Sequence, residues 1–186
     1  MGRVAAVVLA AGAATRFGTP KQLLLLPRVL ERVAASPVDE TVVVEGAYDL
    51  SRVPARAGAR LVRCAEWERG PGASLRCGLA ALEEDVEAAV VIMADGPDLS
   101  PAAIVRIVDD WRANGGPVVA ASYGGVRGHP LLAARAAWDD VPDEGLRVVA
   151  PRLVPCDDLG APGDVDTPED LPQEQASDRR PTPGGW

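Results

Sequence analysis

The chain has a single histidine, His129, and no nucleophile spaced to pair with it. That argues against Ser-His-Asp and Cys-His hydrolases, which need an imidazole as general base. Cysteine is equally sparse. Cys64, Cys77 and Cys156 are odd in number and widely spaced, without a CxxC pair. They suggest neither a disulfide framework nor a zinc site, and the expectation is three small thiols, buried or half-buried. Aromatic residues make up 4% of the sequence, so the core must rest on Ala, Val and Leu. No apolar run reaches the roughly 18 residues of a membrane span. The apolar N-terminal stretch MGRVAAVVLAAG has the look of a weak signal peptide. It runs straight into a Gly-rich loop with Arg16 and Lys21, which favours a first strand, and a cytoplasmic location follows by default. Cations are also in deficit. The formal net charge is −8 and the pI about 4.7, a poor match to the phosphate backbone of nucleic acid. Any phosphate must then be held by a local site.

What is present is apolar and ordered. With 47% hydrophobic residues among 186, the chain suits one globular domain, placed at residues 1–172. Short β-branched runs at Val4–Ala10, Thr41–Glu45, Arg60–Cys64, Ala88–Met93, Pro117–Ala121 and Arg152–Pro155 read as strands. The first and fourth are nearly all apolar, as expected of strands buried on both faces. Helices are expected at Arg28–Ala35, Ser74–Asp85, Ala102–Asn114 and Leu132–Trp138. Ser100-Pro101 reads as an N-cap followed by proline at the first helical position, and Asn114-Gly115-Gly116 as a stop. Thr167-Pro168-Glu169-Asp170 repeats the cap logic. The alternation predicts an α/β fold, a Rossmann-like, mostly parallel sheet with helices on both faces. Residues 173–186 are polar and rich in Pro and Gly, the composition of a disordered tail.

Ligands of such sheets bind beyond the carboxyl ends of the strands. That rule gathers the loop after the first strand, the segment Gly70–Ser74 and the turn Asp95-Gly96-Pro97. In the first loop Ala10, Ala11, Gly12, Ala13 and Ala14 are small enough to leave backbone N–H groups open to an anion. The dinucleotide fingerprint GxGxxG is absent. The P-loop pattern also fails, because five residues separate Gly12 from Gly18 and Thr19 follows. Arg16 and Lys21 add two cations. Lys21 is the one lysine among 19 basic residues, which suggests a task for a compact point charge instead of a planar guanidinium. Asp95 ends an apolar strand opposite this loop, where a carboxylate suits Mg²⁺ held together with phosphate oxygens. Asp164 and Asp166 offer further carboxylates, as ligands or as solvated or capping residues. His129 lies in a Gly-His-Pro turn, where a histidine is more often structural than catalytic.

Five ordered segments are similar to one known family. Leu9-Ala10-Ala11-Gly12 followed by Arg16-Phe17-Gly18 and Lys21-Gln22-Leu23 resembles the signature of the MobA-like nucleotidyltransferases. Gly70–Leu79 resembles the family's G-x-x-x-S-L-R-x-G-L. Ala94-Asp95-Gly96-Pro97, Gly128-His129-Pro130 and Asp164–Leu171 resemble its remaining motifs. The chain is most similar to molybdenum-cofactor (molybdopterin) cytidylyltransferases, because guanylyl-transferring relatives carry L-A-G-G where Leu9-Ala10-Ala11-Gly12 stands here. The resemblance implies that the first loop and Gly72 bind CTP, that Arg16 and Lys21 neutralise its phosphates and that Ser74 lies near the cytosine. It implies Mg²⁺ on Asp95 and Asp166, and His129 on the acceptor side.

The implied reaction is attack by a phosphate monoester on the α-phosphorus of CTP, with release of pyrophosphate. A phosphate monoester is largely ionised at neutral pH, since its second pKa is about 6, and needs no general base. Three departures stand out. The turn after Lys21 is shortened, so that Leu23–Leu26 run into Pro27. Gly96 occupies the middle of the usual D-Q-P. Pro142–Arg147 resembles G-D-x-G-A-R without its first glycine. The acceptor is therefore molybdopterin or another phosphorylated small molecule such as a sugar phosphate. A non-catalytic nucleotide-binding accessory role in molybdoenzyme maturation is the alternative from another class. Expected partners are CTP, the acceptor and a molybdoenzyme or its chaperone, with neither nucleic acid nor membrane, for a monomer or weak oligomer.

Overall fold

β1 (Arg3–Leu9) alternates its side chains between two separate cores. Val4, Ala6 and Val8 join one cluster, Ala5 and Val7 the other, and all five are fully buried. This is why the strand reads as a continuous apolar run and not as an alternation. The computed structural model describes residues 2–13, 21–53, 58–163 and 165. Around β1 lie β2 (Glu40–Glu45), β3 (Arg60–Arg63), β4 (Val86–Met93), β5 (Val118–Tyr123), β6 (Val126–Ala134) and β7 (Arg152–Pro155). They form a seven-stranded sheet in the order β3-β2-β1-β4-β6-β5-β7. All pairings are parallel except those of β6, which runs antiparallel to β4 and β5. Helices α1 (Lys21–Ala34) and α3 (Pro101–Asn114) contribute to the first core, and α2 (Pro71–Ala80) to the second. The molecule is a single α/β domain with helices on both faces of the sheet, as expected.

Strand β6 corrects the expected helix at Leu132–Trp138. Tyr123-Gly124-Gly125-Val126 closes a two-residue hairpin, with Gly124 and Gly125 at φ 60° and 74° and Tyr123 paired with Val126. Left-handed conformation at both central residues is what such a turn requires. The returning strand then pairs Leu132 with Val90 on one side and Val119 on the other. What remains of the expected helix is a short 3₁₀ turn at Arg135–Ala137.

Helix α1 starts seven residues before the expected Arg28, at Lys21. Proline at position 27 marks a helix boundary in sequence, but the buried residues Gln22, Leu25, Leu26, Val29, Leu30 and Val33 keep one helical stripe across it. The missing Pro27 N–H would have bonded the Leu23 carbonyl. Leu23 is 40% exposed, so water can take that place. The shortened family turn is thus absorbed as helix. Helix α3 follows its signals, with Ser100 at the N-cap position, although its side chain makes no cap hydrogen bond. Gly115 at φ 63° ends it.

The cysteines depart from expectation. Cys64 and Cys77 form a disulfide, with Cα atoms 5.7 Å apart. Sequence spacing gave no hint of it, because the contact arises from α2 folding back over the end of β3. Cys156 is the free, buried thiol that was expected, and burial raises its pKa.

Candidate active site

The carboxyl ends of β1 and β4 lie side by side, because Leu9 is paired with Met93. The chain beyond each strand is therefore brought to the same edge. Beyond β1, Ala10 N donates to Val44 O at 3.0 Å and Ala47 N to Ala11 O at 3.0 Å. Gln22 Nε2 donates to Gly12 O at 2.7 Å, and Tyr48 Oη to Ala13 O at 2.6 Å. Four contacts thus fix the backbone of this loop. Ala10 and Ala11 are 2% and 5% exposed, and Gly12 is exposed.

Gly12 differs from the other glycines near the site. A Cβ placed on it meets nothing within 4 Å, and its φ is not among the positive ones. Nothing among the described residues requires glycine there. Gly72 is the reverse, since an added Cβ would lie 1.7 Å from Pro142 O and 2.9 Å from Gly145 N. Gly72 N also donates to Asp143 O at 2.9 Å. Its demand for glycine comes from the loop packed on α2.

Lys21 and Asp95 meet directly. Lys21 Nζ lies 3.0 Å from Asp95 Oδ2, with side chains 10% and 24% exposed. The ammonium also donates to Val165 O at 2.7 Å, and Val165 N donates to Asp95 O at 3.1 Å. The two elements expected to face each other are thus joined by an ion pair, and both bond to Val165. Asp95 Oδ1 is buried and has no hydrogen-bond partner among the described residues. An anionic oxygen left so carries a substantial desolvation cost and suits a hard cation. Among the described residues no three His, Cys, Asp or Glu side chains converge on one point. Arg16, Asp164 and Asp166 lie outside the described residues, as do the Thr167–Asp170 cap and residues 173–186.

A cleft of about 460 Å³ opens beside this edge, floored by Leu9, Leu75, Val91 and Met93 and edged by Arg127, His129, Glu144 and Arg147. His129 comes to it from β6, with its Nδ1 buried and unpartnered among the described residues. Burial lowers its pKa below the ordinary 6.5, against opposing contributions from a Val91 backbone hydrogen bond and the Asp95 charge. The imidazole is therefore neutral at pH 7 and serves as a hydrogen-bonding group, not a cation. The unfolded chain takes up this proton more readily than the folded one. Stability should then fall as pH drops below about 6.5, by at most about 1.4 kcal/mol per pH unit from this group. A His129→Gln variant, followed by urea denaturation across that window, should show a flatter profile than the parent.

Sequence reasoning missed how the far wall of the cleft is built. Arg76 donates to Val141 O at 2.6 Å and pairs with Asp143. Arg69 adds a second contact to Asp143 at 3.2 Å. The Asp143 pKa is lowered, chiefly by Arg76 and then by Arg69. The S-L-R segment of α2 and the loop Pro142–Arg147 are therefore one unit. Arg127 holds the same loop through the carbonyls of Leu146, Arg147 and Val149. Only the resemblance of both segments to family motifs signalled these residues, and it gave no hint that they touch. Ser74, expected near the base, is 4% exposed in the first turns of α2.

No curated protein sequence matches the chain. Solved structures do. Rv0371c from Mycobacterium tuberculosis H37Rv is 26% identical over 95% of this chain and 97% of its own, with a TM-score of 0.76. A complex of the same protein with manganese is matched at 22% identity over 95% and 97%, with a TM-score of 0.66. The homologue from Mycobacterium sp. strain JC1 is 27% identical over 94% and 96%, with a TM-score of 0.77. CMP:2-keto-3-deoxy-manno-octonic acid synthetase complexed with CTP shares the fold, at 14% identity over 94% and 98% and a TM-score of 0.68. The family model for the MobA-like NTP transferase domain matches residues 6–149. With that match covering most of the sheet and its carboxyl edge, the chain belongs to the MobA-like NTP transferase family and is a nucleotidyltransferase.

Proposed function

We propose that the protein transfers CMP from CTP to a phosphorylated small molecule, with molybdopterin as the leading acceptor, and releases pyrophosphate. The observation that carries this reading is the meeting of the first-strand loop, Lys21 and Asp95 at one sheet edge, 3.0 Å apart at the ion pair. Gly12 supports a nucleotide on the loop, because its small size answers no demand made by the described residues. Ala10 and Ala11, where guanylyl-transferring relatives carry Ala-Gly, favour CTP, in line with the CTP complex of the structural relative. Leu9, Ala10, Ala11, Gly12 and Ser74 form the nucleotide side in this reading, with Arg16 as a second cation at the phosphates, and Gly72 belongs to it through the Pro142–Arg147 loop that it packs against, which also walls the acceptor cleft. The apolar floor of the cleft suits the body of an acceptor, and neutral His129 suits a polar group on it.

Asp95 would hold a divalent cation, with Asp166 as the second carboxylate, and the orphan Asp95 Oδ1 fits that role. The manganese complex of Rv0371c is in keeping with it, and Mg²⁺ is the proposed ion. When bound, the ion supplies charge neutralisation at the triphosphate. The protein's own contribution is placement. The pinned loop presents backbone N–H groups to phosphate, Lys21 meets charge that moves onto the departing pyrophosphate, and the cleft excludes water from the attacking oxygen. The acceptor phosphate is already ionised, so no side chain need take a proton.

The catalytic domain in this reading is residues 1–172. No described helix is long and apolar enough to cross a membrane, and we place the protein in the cytoplasm. Thiol reductants there would keep Cys64 and Cys77 reduced in part of the population.

A thermal-shift comparison of CTP, GTP, ATP and UTP with Mg²⁺ tests nucleotide choice. At 100 times its Kd, a ligand of the folded state adds about 2.7 kcal/mol, or roughly 5–10 °C for a chain of this size. CTP should give the largest shift. A larger shift with GTP would overturn the reading of Ala10 and Ala11.

A further inference from the structure

We propose that Lys21 and the divalent cation compete for Asp95, so that the protein takes up metal tightly only after a nucleotide has drawn the ammonium away. The inference rests on the reading of Asp95 as a metal ligand. Its grounds are geometric. Lys21 Nζ sits 3.0 Å from Asp95 Oδ2 and is anchored at 2.7 Å to Val165 O. The lysine residue is 8% exposed, so the ammonium gives up water to occupy this position, and its contacts to Asp95 and Val165 help to repay it. The carboxylate that would receive a cation already has one on half of its oxygens. The other oxygen, Oδ1, is buried without a partner among the described residues. One oxygen is thus satisfied by the protein and one is held for something else.

Two positive charges sharing one carboxylate repel each other strongly in a partly buried site. A divalent ion entering alone must therefore displace the ammonium or bear its charge. A triphosphate changes the balance, because it offers Lys21 new anionic oxygens and contributes its own ligands to the ion. Lys21 then acts twice. It fills the charge position at rest, and it follows the phosphates during turnover. The same contacts tie Val165 to Asp95, through Lys21 on one side and the Val165 N–H on the other. Metal binding would thereby be tied to nucleotide binding without any large motion of the sheet.

The test uses Mn²⁺ alone, followed by electron paramagnetic resonance or water-proton relaxation on the full chain without nucleotide. Lys21→Gln removes the charge and keeps a donor for Val165 O. Lys21→Met removes both and serves if the glutamine variant folds poorly. The expected result is Mn²⁺ affinity raised by about tenfold or more over the parent, since a neighbouring charge shifts cation uptake by one to three decades. Lys21→Arg should leave it near the parent value. Adding Asp95→Asn to Lys21→Gln should abolish the gain. Unchanged or weaker Mn²⁺ binding in both neutral variants would overturn the competition and leave Asp95 as a ligand untouched. A gain that survives Asp95→Asn would instead overturn the assignment of Asp95.

Discussion

Lys21→Ala is expected to lower kcat by about 100- to 1000-fold, the cost of removing one preorganised group that stabilises charge in a transition state. The loss should appear in kcat more than in the KM for nucleotide, because the ammonium matters most when charge moves onto pyrophosphate. Stability should fall as well. Removing the cation leaves Asp95, with 24% of its side chain exposed, beside an empty position. Breaking a buried pair costs about 3 kcal/mol or more, and the partial exposure of Asp95 places this case at or below that figure. Assays must therefore run well below the lowered Tm, checked by circular dichroism. Near-parental turnover in a folded Lys21→Ala protein would remove lysine from the chemistry.

Gly72→Ala should have the second largest effect, through the acceptor wall. The new Cβ would lie 1.7 Å from Pro142 O, and that oxygen belongs to backbone, which cannot swing aside as a side chain can. Either α2 tilts or the loop Pro142–Arg147 lifts. Overpacking of this kind costs about 1–3 kcal/mol. It also strains the Gly72 N–H bond to Asp143 O and the clamp that Arg76 and Arg127 place on the same loop. The KM for acceptor should rise by roughly tenfold or more, with Tm reduced by several degrees. Gly12→Ala supplies the contrast. Its Cβ meets nothing within 4 Å, so stability should stay within about 0.5 kcal/mol, while CTP affinity falls. Two glycines of one site would then be separated into a packing role and a ligand role. Equal stability losses in the two variants would contradict that division.

The parts of the molecule legible in sequence were those fixed by local chemistry. β1 and β4 are nearly all apolar, Arg3 and Glu87 apart, because both faces are buried, and that leaves a mark in eight or fewer residues. Helix α3 announces its start at Ser100-Pro101 and its end at Gly115. The shared edge follows from the parallel arrangement, which puts the loops that carry Lys21 and Asp95 on one side of the sheet. What stayed hidden depends on partners distant in sequence. β6 is a strand because Leu132 lies between Val90 and Val119, although Gly124-Gly125 was a hairpin signal in plain view. α1 runs through Pro27 because its buried stripe outweighs one lost hydrogen bond. The Cys64–Cys77 disulfide and the pairing of Arg76 with Asp143, 67 residues apart, have no local signature at all. The loop of the proposed nucleotide side was therefore readable, and the wall of the proposed acceptor cleft was not.

The most direct measurement follows the α-phosphorus of CTP. The protein is incubated with Mg²⁺, CTP labelled at the α-phosphate and a panel of phosphorylated acceptors that includes molybdopterin and sugar phosphates. The account predicts that the label moves to one acceptor in step with pyrophosphate release, and that neither occurs without acceptor. Tight CTP binding with no transfer to any acceptor and no pyrophosphate would contradict it.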